Sequence, residues 1–551
     1  MADRQPGRVL SGEYPRRARA LAAAATAAAL VLGGCSVAEG GAASPGQSAQ
    51  HERARVVLKA GGAAPQLIAG TDAEAALAAS RALFESSPLA VLAPPEDPAA
   101  VKQAAAEAVS LGVPVLLAGD GLNAELERLG VRSAKVFGAP VQSTTTAAGP
   151  GASPAAGGGA AQGSGPAGTS GARASSAAPT AGWSSLLPGI GLLGPDDPAE
   201  GPAGAGGTAP GSVLLAPEAE GELPAAVAVA RAAGARVQQD PAVDPREDPE
   251  TIDFLRAAPD NNVIGLGAAF GDADVFAARV EAALTVPELP GGGLLAFPTR
   301  RMVALYGHSS GAALGALGEQ GVQASIKRAK ELAKQYQPYS DEPVQPAFEI
   351  IATVASDSAG ADGDYSAESD VSQLRRWVDA AGEAGVYVVL DLQPGTTDFL
   401  TQAKRYEELL KLPHVGLALD PEWRLQEGQR HMEQIGSVPA AEINEVSAWL
   451  ANLTRRNNLP QKVLILHQFQ LRMITNREGL DMSHEEVAVV VHADGHGTPE
   501  QKMDTWRALR QDLPKGTWMG WKNFYDEDMP VFTPERTYLG VSPAPWFVSY
   551  Q

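Results

Sequence analysis

Residues 415–423 of the chain read VGLALDPEW, an apolar run that ends in two acidic side chains and a tryptophan. A short apolar run bounded by polar residues is typical of a buried β-strand. Similar runs recur through residues 302–551. The predicted strands are residues 303–306, 348–354, 386–390, 415–419, 463–466, 487–491, 518–521 and 538–541.

Helical patterns separate the earlier strands, over residues 320–336, 369–384, 397–411, 440–455 and 499–512. Alternation of strands and helices over roughly 250 residues is typical of a (β/α)₈ barrel. The connection after the fifth strand is short, and no clear helical pattern follows the seventh or the eighth. We therefore expect a somewhat irregular TIM-type barrel in an α/β protein, with a doubly wound sheet as the alternative fold.

Polar and aromatic residues follow nearly every predicted strand. The C-terminal ends of barrel strands meet around one axis, so the side chains at these ends are expected to form one site. The candidate site residues are Tyr306, His308, Asp391, Gln393, Asp420, Glu422, Trp423, His467, Gln468, Asp494, His496, Trp521 and Lys522.

The sharpest motif is Asp420-Pro421-Glu422. If the strand continues through it, the two carboxyl groups share a face, because alternate residues of a strand point the same way. Two close carboxylates repel each other, which raises one pKa and provides a proton donor near neutral pH. The alternative is an Asp-Pro turn whose glutamate faces solvent.

This half of the chain resembles the glycoside-hydrolase-like barrels of secreted bacterial proteins. Families 18 and 25 of those enzymes carry an Asp-x-Glu at a strand end, to which Asp420-Pro421-Glu422 is similar. If the barrel hydrolyses glycosidic bonds, Glu422 is the expected general acid, and Asp420, Asp391 or Asp494 is the second carboxylate. The expected substrate contacts are Tyr306, His308, Gln393, Trp423, His467, Gln468, His496, Trp521 and Lys522.

Two other functions use the same residues. A divalent metal that activates water could be bound by several of the histidines and aspartates, and residues 492–496, HADGH, place three possible ligands within five positions. The residues named for this alternative are His308, His467, His496, Asp391, Asp420 and Asp494. The barrel could also bind glycan without catalysis. The preferred interpretation, a glycoside hydrolase, requires no cofactor and no metal.

The first 35 residues have the features of an export signal. Several arginines precede an apolar run from Ala20 to Leu32, which is followed by Gly33-Gly34-Cys35. These are the parts of a secretory signal, and the run is too short to span a bilayer. Residues 32–35 resemble a bacterial lipobox, which implies lipidation of Cys35; an ordinary cleaved signal is the alternative. We expect a signal peptide over 1–34, a flexible tether over 35–54, and a lipid anchor on the extracytoplasmic face of the cell membrane.

The region after the tether alternates strands and helices, as in a parallel α/β layer. Its residues 68–72, 76–82, 91–93, 111–117 and 126–130 resemble the type-2 cell-wall-binding repeat of Gram-positive bacteria. We assign 55–141 to one such repeat and 213–297 to a degenerate second copy, with the barrel over 298–551. Residues 142–212, rich in Gly, Ala, Ser and Pro, are expected to be a disordered insertion, although the apolar island 183–193 is expected to pack on its own domain.

Composition excludes several classes of partner. Lys and Arg total 43 against 64 Asp and Glu, a net charge of −21, so general nucleic-acid binding and electrostatic adhesion to anionic lipid are disfavoured. The only cysteine is Cys35, which excludes an intrachain disulfide and a multi-cysteine zinc site. The sequence therefore predicts a lipid-anchored enzyme that acts on cell-wall or other polysaccharide, with a non-catalytic glycan-binding envelope protein as the alternative.

Overall fold

A computed structural model of the chain describes residues 55–61, 64–140, 179–199, 211–259 and 262–551. The predicted signal peptide, Cys35 and the tether lie outside the described residues, as does most of the predicted insertion over 142–212. Within the described ranges, no helix combines the length and the apolar composition needed to cross a membrane.

The C-terminal half is a closed barrel of eight parallel strands. The strands are β1 (Arg301–Gly307), β2 (Val344–Ala355), β3 (Tyr387–Leu392), β4 (Val415–Leu419), β5 (Lys462–Gln468), β6 (Val487–Ala493), β7 (Trp518–Asn523) and β8 (Phe547–Tyr550). Each strand pairs in parallel with the next, and β8 pairs with β1. This closure confirms the TIM-type barrel and excludes the doubly wound sheet.

The connections are irregular, as expected. The helices between the strands are Val322–Tyr336, Val371–Glu383, Phe399–Arg405, Glu407–Leu410, Ala440–Arg456, Pro499–Leu509 and Pro534–Gly540. Between β5 and β6 the described chain forms only short 3₁₀ turns, Leu471–Met473 and Arg477–Gly479, and a two-residue strand, Ile474–Thr475. That strand pairs with Val438–Pro439, and a further strand, Ser366–Glu368, pairs antiparallel with β2.

The prediction of the eighth strand over residues 538–541 is wrong. Residues 538–540 end the helix Pro534–Gly540, and the eighth strand follows at Phe547–Tyr550. The helix begins there because Thr533 caps it, accepting a hydrogen bond from the backbone N–H of Arg536, and because Pro534 fits the first helical turn.

Side chains along the strands alternate between two apolar surroundings. On β1, Val303 and Leu305 pack outward in the cluster shared with the helices, whereas Met302 and Ala304 pack inside the barrel. Residues 286–300 lead into β1, and Leu289, Ala296 and Phe297 of this segment pack in the apolar cluster inside the barrel; we call the segment the floor. Phe297 of the floor lies 5.3 Å from Trp518 and 6.0 Å from Trp546 between ring centroids.

Residues 55–285 hold two parallel sheets of four strands each. One has the order Val115–Leu117, Leu89–Ala93, Ser133–Val136, Gly191–Leu193, and the other Arg236–Gln239, Gly211–Leu215, Asn262–Leu266, Gln66–Ile68. A two-residue strand, Val57–Leu58, pairs antiparallel with Phe84–Ser86. The helices here are Asp72–Leu83, Pro98–Leu111, Leu122–Leu129, Pro179–Trp183, Ala219–Glu222, Pro224–Ala232, Pro249–Arg256 and Ala273–Thr285.

These sheets cross the boundary predicted between the two α/β segments, because Gln66–Ile68 completes the later sheet by pairing with Asn262–Leu266. A side chain also connects the segments. Asp72 accepts hydrogen bonds from the backbone N–H groups of Ala225, at 3.0 Å, and Ala226, at 3.1 Å. These N–H groups begin the helix Pro224–Ala232, so Asp72 caps a helix that lies far along the chain.

The apolar island packs on its own region. Trp183 is fully buried and its indole N–H donates to the carbonyl oxygen of Gly138 at 3.0 Å. The strand Gly191–Leu193 pairs with Ser133–Val136. Residues 179–199 are therefore structured, although they lie in the segment expected to be disordered, because this part carries the apolar bulk that its surroundings lack.

Candidate active site

A cavity of about 520 Å³ opens at the C-terminal end of the barrel. The site residues expected from sequence that line it are Tyr306, Gln393, Asp420, Glu422, Trp423, Asp494, His496 and Lys522. They come from the ends of several strands, where a TIM-type barrel holds its active site.

The Asp-Pro-Glu motif reaches the cavity through a turn and not through an extended strand. Strand β4 ends at Leu419, and Asp420 caps a 3₁₀ turn, Pro421–Trp423, by accepting a hydrogen bond from the N–H of Glu422 at 3.2 Å. The expectation of a continuing strand is wrong, because the Asp-Pro pair starts a turn. Both carboxyl groups nevertheless line the same cavity.

A layer of fully buried polar side chains lies on the inner face of the strands. Glu349 of β2, Asp391 of β3, His467 of β5 and His492 of β6 have no exposed surface. The two histidines are partners in the register of β5 and β6.

Short hydrogen bonds join this layer to the cavity. His467 lies between two carboxyl groups, with Nδ1 at 2.8 Å from Asp494 Oδ2 and Nε2 at 2.9 Å from Glu349 Oε1. Lys522 Nζ lies 3.2 Å from Asp494 Oδ2 and 3.7 Å from the centre of the Tyr306 ring. The Tyr306 hydroxyl donates to Asp391 Oδ2 at 2.9 Å. The polar groups of several strands thus form one network.

The carboxyl groups of the site differ in acidity. Burial, together with the charge of Asp494, raises the pKa of Glu422 to about 7. Burial also raises the pKa of Asp391 to about 6 and holds that of Asp420 well above its ordinary value. For Asp494, burial acts in the same direction, but Lys522 and His467 outweigh it and the pKa falls below its usual range. Asp494 is therefore the anion of the site and Glu422 a proton carrier near neutral pH.

Four of the expected substrate contacts do not line the cavity: His308, His467, Gln468 and Trp521. Trp521 is buried in the outer core, with its ring 5.7 Å from that of Trp506. Gln468 is buried and donates to the carbonyl oxygens of Gln470 and Leu471, which holds the loop after β5. The two ring nitrogens of His308 are hydrogen-bonded to the hydroxyl groups of Ser310 and Ser369. Neither His467 nor Asp391 lines the cavity, and both are fully buried.

Glu349 was not predicted as a site residue from the sequence. It is a lone acidic residue inside the apolar run predicted as the second strand, 348–354. Since glutamate is almost never fully buried without a partner, its position in a buried strand was the available signal.

The residues predicted as possible metal ligands do not all lie at one place. His492 contacts His467 and Ser549 inside the barrel, whereas His496 is exposed against the ring of Phe524. In the described ranges, two groups bring three possible ligands together: Glu349, His467 and His492, and also Asp362, Asp364 and Glu368. In the first group both nitrogens of His467 are occupied by carboxyl groups, and in the second Arg405 pairs with Asp362 and Glu368.

Comparison of the sequence with protein-family models finds no matching family, and comparison with curated proteins finds no match. The basis for assigning a function is therefore the TIM-type barrel and the side chains at its C-terminal end.

Proposed function

We propose that the barrel is a glycoside-hydrolase-like enzyme that acts on a cell-wall or other polysaccharide. The observation that carries this proposal is that Glu422 and Asp494 line one cavity with their pKa values shifted in opposite directions. A pair of carboxyl groups whose environments separate their acidities is what acid and base roles at a glycosidic bond require.

In this mechanism Glu422, protonated near neutral pH, donates its proton to the glycosidic oxygen as the leaving sugar departs. Asp494, ionised, attacks the anomeric carbon or takes a proton from the attacking water. A carboxyl separation of about 5 Å would give retention of configuration and one of about 6.5–9.5 Å inversion. Asp391 and Asp420 are weaker candidates for the anionic role, because burial raises the pKa of each.

The cavity wall offers complementary contacts for a sugar. Trp423 and Phe524 provide apolar surface against which a ring can stack, and Gln393 provides an amide for hydroxyl groups.

The test incubates wild-type protein and Glu422→Gln with purified cell wall and a panel of glycans, and measures released reducing ends. Wild-type protein is expected to release product, and the variant at least about 100-fold less, because general acid catalysis contributes at least that much. The matched control is Glu427→Gln, since Glu427 is exposed on the same loop. Equal release by wild type and Glu422→Gln would reject Glu422 as the acid.

The second candidate function is glycan binding without catalysis. The ion pair between Asp494 and Lys522, 3.0 Å apart, is the observation that favours it, because it engages the carboxylate that would act on substrate. Glycan binding by calorimetry with no product release from any glycan would support this function over hydrolysis.

For the location, we propose a lipid anchor on Cys35 and attachment to the wall through the α/β region. The lipobox-like residues 32–35 and the repeat-like pattern of residues 68–130 support this proposal. Labelling with a fatty-acid analogue is expected to mark the wild-type protein and not Cys35→Ser, which should be released into the medium. Equal labelling of both proteins would contradict the anchor.

A further inference from the structure

The buried imidazole of His467 is held between two carboxyl groups. Asp494 Oδ2 lies 2.8 Å from Nδ1, and Glu349 Oε1 lies 2.9 Å from Nε2. The side chains of His467 and Glu349 are fully buried, and that of Asp494 is nearly so. Both contacts are short enough to be hydrogen bonds, each with a proton in it.

Counting protons restricts the charge of this group. A neutral imidazole carries one N–H and therefore donates only one hydrogen bond. Two carboxylate acceptors at opposite nitrogens need either an imidazolium or a protonated carboxyl group. Lys522 lies 3.0 Å from Asp494 and favours the ionised form of that carboxyl. Glu349 has His467 as its hydrogen-bond partner and, among the described residues, none at its second oxygen.

Other titratable groups also face His467. Asp391 Oδ1 lies 3.7 Å from Nε2, His492 Nδ1 lies 3.4 Å from Nδ1, and the Tyr306 ring is 6.0 Å away between centroids. Burial lowers the pKa of His492 to about 3, so that imidazole is neutral. The charged and titratable groups around His467 are thus Glu349, Asp391, Asp420, Glu422, Asp494, His492, Lys522 and Tyr306.

We propose that Glu349 is a positioning residue of the site: it keeps His467 in the imidazolium form, and His467 in turn holds Asp494 as an oriented anion facing the cavity. The proposal rests on the proposed function, since it concerns the carboxylate that acts opposite Glu422. Glu349 lies beneath the cavity and does not line it, so its effect passes through His467.

The direct test is Glu349→Gln, followed by NMR of protein labelled in its histidine rings. Glutamine keeps an oxygen that accepts from Nε2 and removes the charge. The His467 signal is identified as the one missing from His467→Gln. Burial acts to lower the pKa of His467, but the carboxylates of Glu349, Asp391 and Asp494 outweigh it and raise the pKa well above its ordinary value. In wild type we therefore expect an imidazolium at neutral pH, and in Glu349→Gln the titration midpoint of His467 should fall by roughly one pH unit or more.

The matched control is Glu342→Gln, which removes a carboxylate paired with Arg301 at the opposite end of the barrel. This control should leave the His467 signal unchanged. A neutral His467 in wild type at pH 6, or the same midpoint in wild type and Glu349→Gln, would overturn the proposal.

The pH dependence of activity gives a second readout, which would not change if Glu349 had only a structural role. The two proteins should differ above the lowered His467 midpoint of Glu349→Gln, where only wild type keeps the imidazolium beside Asp494. There kcat/KM of the variant should fall below that of wild type while KM changes little, whereas at low pH, where both proteins hold the imidazolium, the rates should agree. A loss of thermal stability with the same pH profile in both proteins would refute the positioning role. If wild type hydrolyses no glycan, the proposed function fails, but the NMR result still decides whether Glu349 sets the charge of His467.

Discussion

Glu422 sets the expected upper pH limit of the proposed hydrolysis. The proton donor must be protonated, and burial raises the pKa of this carboxyl to about 7. We therefore expect kcat/KM to fall by about tenfold per pH unit above roughly pH 7, because the protonated fraction falls at that rate. Rates measured from pH 4.5 to 9 would show this limb, and the residual activity of Glu422→Gln should lack it. A wild-type rate that stays level up to pH 9 would contradict the assignment.

Lys462 is a buried amine with no ion-pair partner among the residues that the structure describes. It has no exposed surface, it donates to the carbonyl oxygen of Leu412, and burial lowers its pKa to about 7. Between about pH 7 and 10.5 the unfolded chain binds this proton more tightly than the folded chain, so stability falls as the pH drops through that window. Lys462→Met is expected to raise the free energy of unfolding at pH 7 by about 1–3 kcal/mol.

Denaturant unfolding at pH 7 and pH 10 checks this prediction, since the gain should be smaller at pH 10. The control is Lys515→Met at an exposed position, which should change little. A loss of stability in Lys462→Met at pH 7 would show that the ammonium is favourable where it lies.

At the residue scale, the sequence predicted the acidic residues that follow apolar runs but not Glu349, which lies inside one. Glu422 and Asp494 follow apolar runs, where a polar residue is conspicuous. The role of Glu349 depends on a contact with His467, which is 118 positions away along the chain. No local pattern contains that information, because the pairing exists only once the barrel closes.

At the scale of single elements, Gly520 makes room for a site histidine. It lies on β7 in register with His492, and a Cβ at this position would come within 2.4 Å of the His492 ring. Gly520→Ala is expected to displace that ring, to cost about 1–3 kcal/mol of stability, and to lower activity. Thermal denaturation and kcat/KM measure these effects, with Gly221→Ala, where a Cβ meets open space, as the control. Unchanged activity in Gly520→Ala would mean that the position of His492 does not matter.

The cap formed by Asp72 gives a second prediction about an element. Asp72→Ala removes the acceptor for the N–H groups of Ala225 and Ala226. Loss of an N-terminal cap costs about 0.5–2 kcal/mol, and we expect this decrease in the free energy of unfolding. Urea denaturation measures it, and hydrogen exchange should speed up at the start of the helix Pro224–Ala232. Unaltered exchange there would show that Asp72 is not needed as a cap.

Element type was predictable from sequence wherever the apolar pattern was long. Seven of the eight predicted barrel strands coincide with strands of the structure. The eighth strand was missed because it has only four residues, Phe547–Tyr550, and follows a proline-rich segment. The apolar residues near 538 belong to a helix, where tertiary packing and the Thr533 cap decide the conformation.

At the scale of the whole molecule, the floor connects two hydrophobic cores. Leu294 packs in a core of the α/β region, whereas Ala296 and Phe297, two and three residues later, pack inside the barrel. Phe297→Ala is expected to lower the free energy of unfolding by about 3–5 kcal/mol, because it leaves a cavity beneath two tryptophans. Urea denaturation followed by tryptophan fluorescence measures this loss. The control is Leu539→Ala at a position that is 66% exposed, and equal costs for both variants would contradict the role of the floor.

The arrangement of distant segments was the least predictable level. The pairing of Gln66–Ile68 with Asn262–Leu266 joins parts of the chain that were assigned to separate repeats. Parallel pairing leaves no local sequence signal, since the two strands need only be apolar and of matching length.

The join between the halves also limits how this chain can be recombined. A chimaera that transplants the barrel from its first strand, at Arg301, would leave behind the aromatic ring that fills its base. A transplant that begins near Val286 would keep that ring but would carry Leu294, whose apolar contacts stay with the donor. The two halves are therefore poorly suited to exchange as independent modules, and a graft succeeds only if its new neighbour supplies a pocket for that leucine.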